Sequence, residues 1–221
     1  MKKFEQELQT LKQRVEEMGQ LAESMVGWAS SALIKHERGL IQQVRASEAQ
    51  LDRFQLEVDG EVIRLITIYS PTAKDLRLLL MMARINSELE RIGDQALNNC
   101  EYVELLLSDP PPQPLHDLSK MSEITRGMVH EALQAFQHED IQKAQAVIKL
   151  DDEVDALNNE TFRDLLTDPA KGRDVITRCM TLILVARSLE RIADHATNIC
   201  EEVIYVVEGE DIRHRPSGVG R

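Results

Sequence analysis

The chain has 221 residues, with 38 acidic against 26 basic side chains and a net charge of −12. That balance excludes a nucleic-acid binder, which needs a basic footprint, and suits a cation or a basic protein partner. Aromatics at 4%, few Gly and Pro, and a wealth of Leu, Ala, Glu, Gln and Arg predict an all-α protein, while 43% hydrophobic content is enough for a real core.

In chain order, periodicity predicts helices over 2–34, 38–69, 72–107, 116–136, 139–167 and 172–208. The start, Met1-Lys-Lys-Phe-Glu-Gln-Glu7, lacks the apolar stretch of a secretory signal, and no apolar run approaches the ~18 to 20 residues that span a bilayer. The expectation is a cytoplasmic protein with no direct membrane insertion. Three cysteines, Cys100, Cys179 and Cys200, fit reduced thiols, and core packing is their expected role. Turns fall at Lys35-His-Glu-Arg-Gly39 and His138-Glu-Asp140. Ser70-Pro71-Thr72 separates the second and third helices: Pro71 ends one and Thr72 is placed to cap the next. Thr167-Asp168-Pro169 plays the same part later. Between the halves, Asp109-Pro-Pro-Pro-Gln-Pro114 cannot continue a helix and favours polyproline geometry. These signals divide the chain into 1–109, a linker at 110–115, 116–210, and a tail at 211–221. Short connections force antiparallel neighbours, so each half reads as an up-down-up three-helix bundle, both sharing one elongated body.

The two halves are copies. Leu89-Glu-Arg-Ile-Gly-Asp94 returns as Leu189-Glu-Arg-Ile-Ala-Asp194, and 89–103 shares ten of fifteen residues with 189–203. Upstream the offset is near 103: Glu48, Asp52 and Glu57 answer Asp151, Asp155 and Glu160. A fixed-offset repeat marks a duplicated structural unit. Both copies keep a Glu and an Asp four apart on a helix, a pair that repels by roughly 0.2–0.5 kcal/mol.

At 100° per residue, Leu78, Met82, Ile85, Leu89, Ile92, Ala96 and Val103 form the packed stripe of the third helix. Glu90, Asp94, Asn98 and Glu101, with Ala83 and Ser87, fall roughly opposite, and Glu190, Asp194, Asn198 and Glu201 repeat the line in the sixth. A plain solvated face would interleave lysines, yet there is none between Lys74 and Lys120 or after Lys171. The second helix of each half adds Glu48/Asp52 and Asp151/Asp155, so two adjacent helices can offer four carboxylates to one patch. All-oxygen ligand sets select hard cations, here iron, manganese or magnesium, over zinc or copper. A redox di-iron centre is not expected, because none of the six histidines has a Glu three residues before it. Asn98, Asn198 and His195 are auxiliary ligand candidates, His195 in one half only, since its counterpart is Gln95. Arg91 and Arg191, beside the glutamates, are read as salt-bridge or partner-binding residues. There is no glycine-rich phosphate loop, Cys/His zinc spacing or nucleophile elbow. A carboxylate-bridged metal hydrolase or phosphatase and a metal-storage bundle stay open beside a binding role.

The doubled Glu-Arg-Ile-(Gly/Ala)-Asp, the helix start Pro71-Thr-Ala-Lys-Asp-Leu-Arg77 and the stretch Asp194-His-Ala-Thr-Asn-Ile-Cys-Glu-Glu-Val203 closely resemble the PhoU family, as does the end at Val206-Val-Glu-Gly-Glu-Asp-Ile-Arg-His214. The resemblance spans essentially the whole chain. It implies two three-helix PhoU repeats, a homodimer in the cytoplasm, and no enzymatic activity. It also implies negative regulation of phosphate uptake and the phosphate regulon, as an adaptor between the ATPase subunit of the high-affinity phosphate transporter and the phosphate-sensing histidine kinase. Metal clusters, where family members hold them, sit on Glu/Asp-x-x-x-Asp motifs, which correspond here to Glu48/Asp52, Glu90/Asp94, Asp151/Asp155 and Glu190/Asp194.

Overall fold

Every long stretch between the turn signals folds as a single uninterrupted helix in the computed structural model, which describes residues 2–107, 116–167 and 173–209. The helices are α1 (Lys2–Lys35), α2 (Arg38–Tyr69), α3 (Ala73–Leu106), α4 (His116–His138), α5 (Ile141–Thr167) and α6 (Arg173–Glu208), with no strand among the described residues. The expected boundaries are met within two residues. The proline-rich linker, the Asp168-Pro169 turn and the 211–221 tail lie outside the described residues.

The turns show how the ends are closed. Ser70 takes the left-handed conformation (φ 44°) and its N–H donates to Ile66 O, closing α2. Thr72 occupies the N-cap position of α3, but its side chain makes no capping hydrogen bond, so the expected cap is positional only. Asp140 is a true cap: its Oδ1 accepts from the N–H groups of Gln142 and Lys143 at 2.9 and 3.1 Å. It sets the start of α5 two residues later than periodicity suggests. His36 (φ 57°) and Glu139 (φ 53°), 103 positions apart, hold the same left-handed turn in the two copies.

Within each half the three helices pack mutually, α1–α2–α3 and α4–α5–α6. The halves are then joined along two antiparallel seams, α3 against α6, the most extensive contact in the molecule, and α1 against α4. One continuous core results, running from Leu11, Val15 and Met18 through Met82, Ile85 and Leu89 to Leu189, Ile192 and Val203. Cys100, Cys179 and Cys200 are all buried, as their packing role required. Because α3 touches α1, α2 and α6, it buries more than one stripe: Leu79, Met81, Asn86, Gly93 and Asn99 join the expected residues. Ala83 and Ser87, read from sequence as part of an open face, are half-buried for the same reason.

Small volume exchanges accompany the duplication. A Cβ on Gly93 would collide with the end of the Leu51 side chain of α2. The second half carries Ala193 and Val154 at the corresponding positions. The larger residue on one helix is thus paired with the smaller one on its neighbour, as close packing requires.

Candidate functional site

The antiparallel packing of α2 on α3 brings Asp52 beside Glu90 and Asp94. Burial raises the Glu90 carboxyl above its usual range, and the charges of Asp94 and Asp52 add to that while Arg91 opposes it. Asp94 is raised by burial and then by Asp52. Glu48, half-buried one turn before Asp52, is absent from the charges acting on either residue. The first patch is therefore a triad of Asp52, Glu90 and Asp94, with Glu48 at its edge.

In the second half the gathering is fuller. Burial, followed by Asp194, Asp155, Asp152 and Glu190, pushes Asp151 up to about 6. Glu190 is raised by burial and then by Asp194 and Asp155, with Arg187 and Arg191 opposing. Asp194 is raised by burial and then by Asp155. All four expected residues share one field, and Asp152 joins them. Like charges held together without a bridging Lys are the state that an added cation relieves. The oxygen-only donors fit a hard ion. As arranged, though, no three His, Cys, Asp or Glu side chains among the described residues converge closely enough to enclose one. The patches are open surfaces rather than closed cages.

Between them runs the α3/α6 seam, and it holds a polar cluster that sequence reasoning missed. Glu88 Oε2 lies 2.8 Å from His195 Nδ1 and accepts from Asn198 Nδ2 at 3.0 Å. Burial works to raise the Glu88 carboxyl, but the hydrogen bonds from His195 and Asn198 outweigh it and hold the group below its ordinary value. One helical turn away, the Arg84 guanidinium donates to both carboxylate oxygens of the buried Glu202 at 3.0 Å. His195 and Asn198, read as auxiliary ligands, are thus engaged across the seam through Nδ1 and Nδ2. Asn98 lies half-buried one turn beyond Asp94. The pseudo-symmetric counterparts are Ser188 and Gln95, both without a carboxylate, and the Gln95 Oε1 is buried with no partner. No single-chain signal could reveal Glu88, because its partners lie 107 and 110 residues away.

Arg91 extends beside Glu88 (3.5 Å) with its side chain 56% exposed, and Arg191 is likewise exposed. Both stand next to the carboxylate patches and are available to a partner. Neither Cys100 nor Cys200 is an activated nucleophile: burial pushes the Cys100 thiol up to about 12 and raises Cys200 as well.

The family model for the PhoU domain matches this chain twice, over residues 15–103 and 118–203. A relative from Aquifex aeolicus, described as a phosphate-specific transport system accessory protein PhoU homolog, is 38% identical over 215 residues, covering 97% of each chain. One from Pseudomonas putida with the same description is 35% identical over 212 residues, 96% of this chain and 83% of that one. Among solved structures, PhoU from Pseudomonas aeruginosa matches with a TM-score of 0.91 at 35% identity, covering 94% of this chain and all of that one. The phosphate transport system regulatory protein PhoU from Streptococcus pneumoniae shares the fold, with a TM-score of 0.87 at 24% identity over 95% of this chain and 99% of that one. The duplicated helices, the doubled motif and these near-full-length matches place the chain in the PhoU family.

Proposed function

We propose that this protein is a cytoplasmic, non-enzymatic accessory regulator of phosphate transport. It docks on the ATPase subunit of a phosphate-specific transporter and restrains a phosphate-sensing histidine kinase, coupling transport state to phosphate-regulon expression. The observation that carries this reading is near-full-length kinship with relatives described as accessory proteins of phosphate-specific transport. The chain's own chemistry supports it. Its acidic patches and the flanking Arg91 and Arg191 form polar surface suited to electrostatic docking, which steers encounter and orientation. No helix among the described residues is long and apolar enough to cross a membrane. A homodimer would present the patches and arginines twice.

In the same reading the carboxylates hold a hard metal ion: Asp52, Glu90 and Asp94 in the first half, with Glu48 adjoining, and Asp151, Asp155, Glu190 and Asp194 in the second. Iron, manganese or magnesium bound there supplies positive charge that neutralises the repelling carboxylates and ties α2 to α3 and α5 to α6. The residues themselves tune access. Arg91 and Arg191 stand at the rims, and Glu88 keeps His195 turned toward the seam.

Affinity purification of the tagged full-length protein from phosphate-replete cells tests the proposal. Recovery of the transporter ATPase and the kinase, diminished by Arg91→Glu with Arg191→Glu, is the expected result. A pull-down holding neither partner would defeat the adaptor reading.

A further inference from the structure

The outer face of α6 changes character along its length. Ile176, Met180 and Leu184, spaced four apart, share one side of the helix and are 51%, 61% and 41% exposed. The stripe they form is about 12 Å long, roughly two helical turns. Across the seam, the antiparallel register set by Arg84 with Glu202 and by Glu88 with Asn198 carries the C-terminal end of α3 alongside it, and there Leu105 is 67% exposed. Large apolar side chains gathered in contact with water mark an interaction surface.

The duplication shows that such an apolar end is not forced by the fold. At the repeat offset of 100, Arg84 and Glu202 at one end of the seam correspond to Leu184 and Tyr102 at the other. The first end is closed by the Arg84 guanidinium, which donates to both carboxylate oxygens of Glu202. The second replaces that ion pair with two apolar side chains: Tyr102 packs on the core, while Leu184 stays in contact with solvent. Its charge also departs from that of the acidic chain. There is no carboxylate in α6 from Ile176 to Leu189. Arg187 stands exposed one turn beyond Leu184 on the same line, and Arg191 follows a turn later. The second acidic patch begins only past Arg187 and lies toward α5, where Asp155 acts on Glu190 and Asp194. On α3, Glu101 and Glu104 lie toward α2, where both act on Arg45. The charge that bounds the apolar stripe is therefore positive.

We propose that this end of the α3/α6 seam docks a short amphipathic helix of a partner protein, apolar over two turns and acidic in the turn that follows. A docked helix is held by about three or four apolar anchors at helical spacing, the number that Ile176, Met180, Leu184 and Leu105 can meet. Its acidic turn then falls against Arg187, which fixes register and direction. A stable dimer takes about 20–30 residues a side, far more than this stripe offers, so a second copy of the chain fits it poorly. An anionic bilayer is disfavoured by the carboxylate patches on the same broad face. The proposal rests on the docking role given above, whose partner it describes by chemistry, and needs no metal in the patches.

A synthetic helical peptide, with leucines on one face over two turns and glutamates in the next, is titrated into the full-length protein and followed by methyl NMR. The expected result is saturable shifts at Ile176, Met180 and Leu184. Affinity should fall by about tenfold or more when lysines replace the glutamates, and in Met180→Gln with Leu184→Gln. Both positions are exposed, so that variant should keep its helicity. Arg187→Glu should reverse the preference between the two peptides. The proposal is overturned if the peptides bind alike, if Arg187→Glu leaves their order unchanged, or if the double variant binds like wild type. It is equally overturned if the double variant abolishes self-association in sedimentation, or flotation with phosphatidylglycerol vesicles, since the stripe then serves a second copy or a bilayer. Affinity purification from phosphate-replete cells separates this proposal from the adaptor reading. A wild-type pull-down holding neither transporter ATPase nor kinase defeats the adaptor reading. Equal recovery of those partners by wild type and the double variant leaves that reading standing and defeats this one.

Discussion

Replacing Asp151 with Asn should make the metal-free protein more stable at neutral pH. In the folded protein the Asp151 carboxyl is pushed from its ordinary 3.8 to about 6, by burial first and then by Asp194, Asp155, Asp152 and Glu190. A folded-state value raised above the unfolded one means that the native state binds the proton more tightly. Stability from this group is therefore present on the acid side and lost as pH rises through about 6. At about 1.36 kcal/mol per pH unit the gap sets a ceiling near 3 kcal/mol, and solvent reaching this half-buried side chain reduces it to about 1–2 kcal/mol. Asn keeps the shape and removes the charge. Urea unfolding with a chelator present should place Asp151→Asn about 1–2 kcal/mol above wild type at about pH 7.5, with the gap closing toward about pH 4. In thermal unfolding that is roughly 3–6 °C for a chain of this size. Saturating manganese should reverse the order, because wild type gains the linkage energy of binding and the variant gains less. If Asp151→Asn is no more stable than wild type at about pH 7.5 in chelator, the mutual repulsion assigned to the second patch is absent and the reasoning fails.

Gly93→Ala should destabilise by up to about 2 kcal/mol: overpacking against Leu51 is worth roughly 1–3 and helix propensity returns about 1. Adding Leu51→Val, as in the second half, should restore wild-type stability, with a coupling of about 1–2 kcal/mol in chemical denaturation. Glu190→Gln with Asp194→Asn should lower iron or manganese stoichiometry by elemental analysis while leaving helicity intact by circular dichroism; unchanged uptake would remove the second-half site. Arg91→Glu with Arg191→Glu should weaken repression of phosphate-starvation genes without loss of soluble protein. An unchanged reporter would return both arginines to a structural role.

Much of the fold could be read because it is written locally. Six helices follow from periodicity and turn chemistry, and the three-helix halves follow from short loops and the repeated Glu-Arg-Ile-(Gly/Ala)-Asp. The way the halves join could not be read, since nothing within one repeat says that α3 will lie antiparallel along α6. That contact turns the supposedly open face of α3 into a partly buried one, lifts Glu90 out of plain solvent, and creates the Glu88–His195–Asn198 cluster. His195 looked like a ligand for Asp194's patch because the two are adjacent in sequence, whereas its Nδ1 is committed to Glu88 across the seam. The carboxylate patches themselves were legible, because i,i+4 spacing fixes a helix face and duplication supplied the second example. Glu48 marks the limit: equivalence to Asp151 in the repeat did not bring it into the field of Glu90 and Asp94.

The regulatory account is tested most directly by deleting the gene in its source organism and measuring phosphate-starvation gene expression in high phosphate. A protein that restrains a phosphate-sensing kinase leaves those genes active when it is lost, and re-expression of the intact chain silences them again. Expression and phosphate uptake that stay at wild-type levels in the deletion strain would contradict the account.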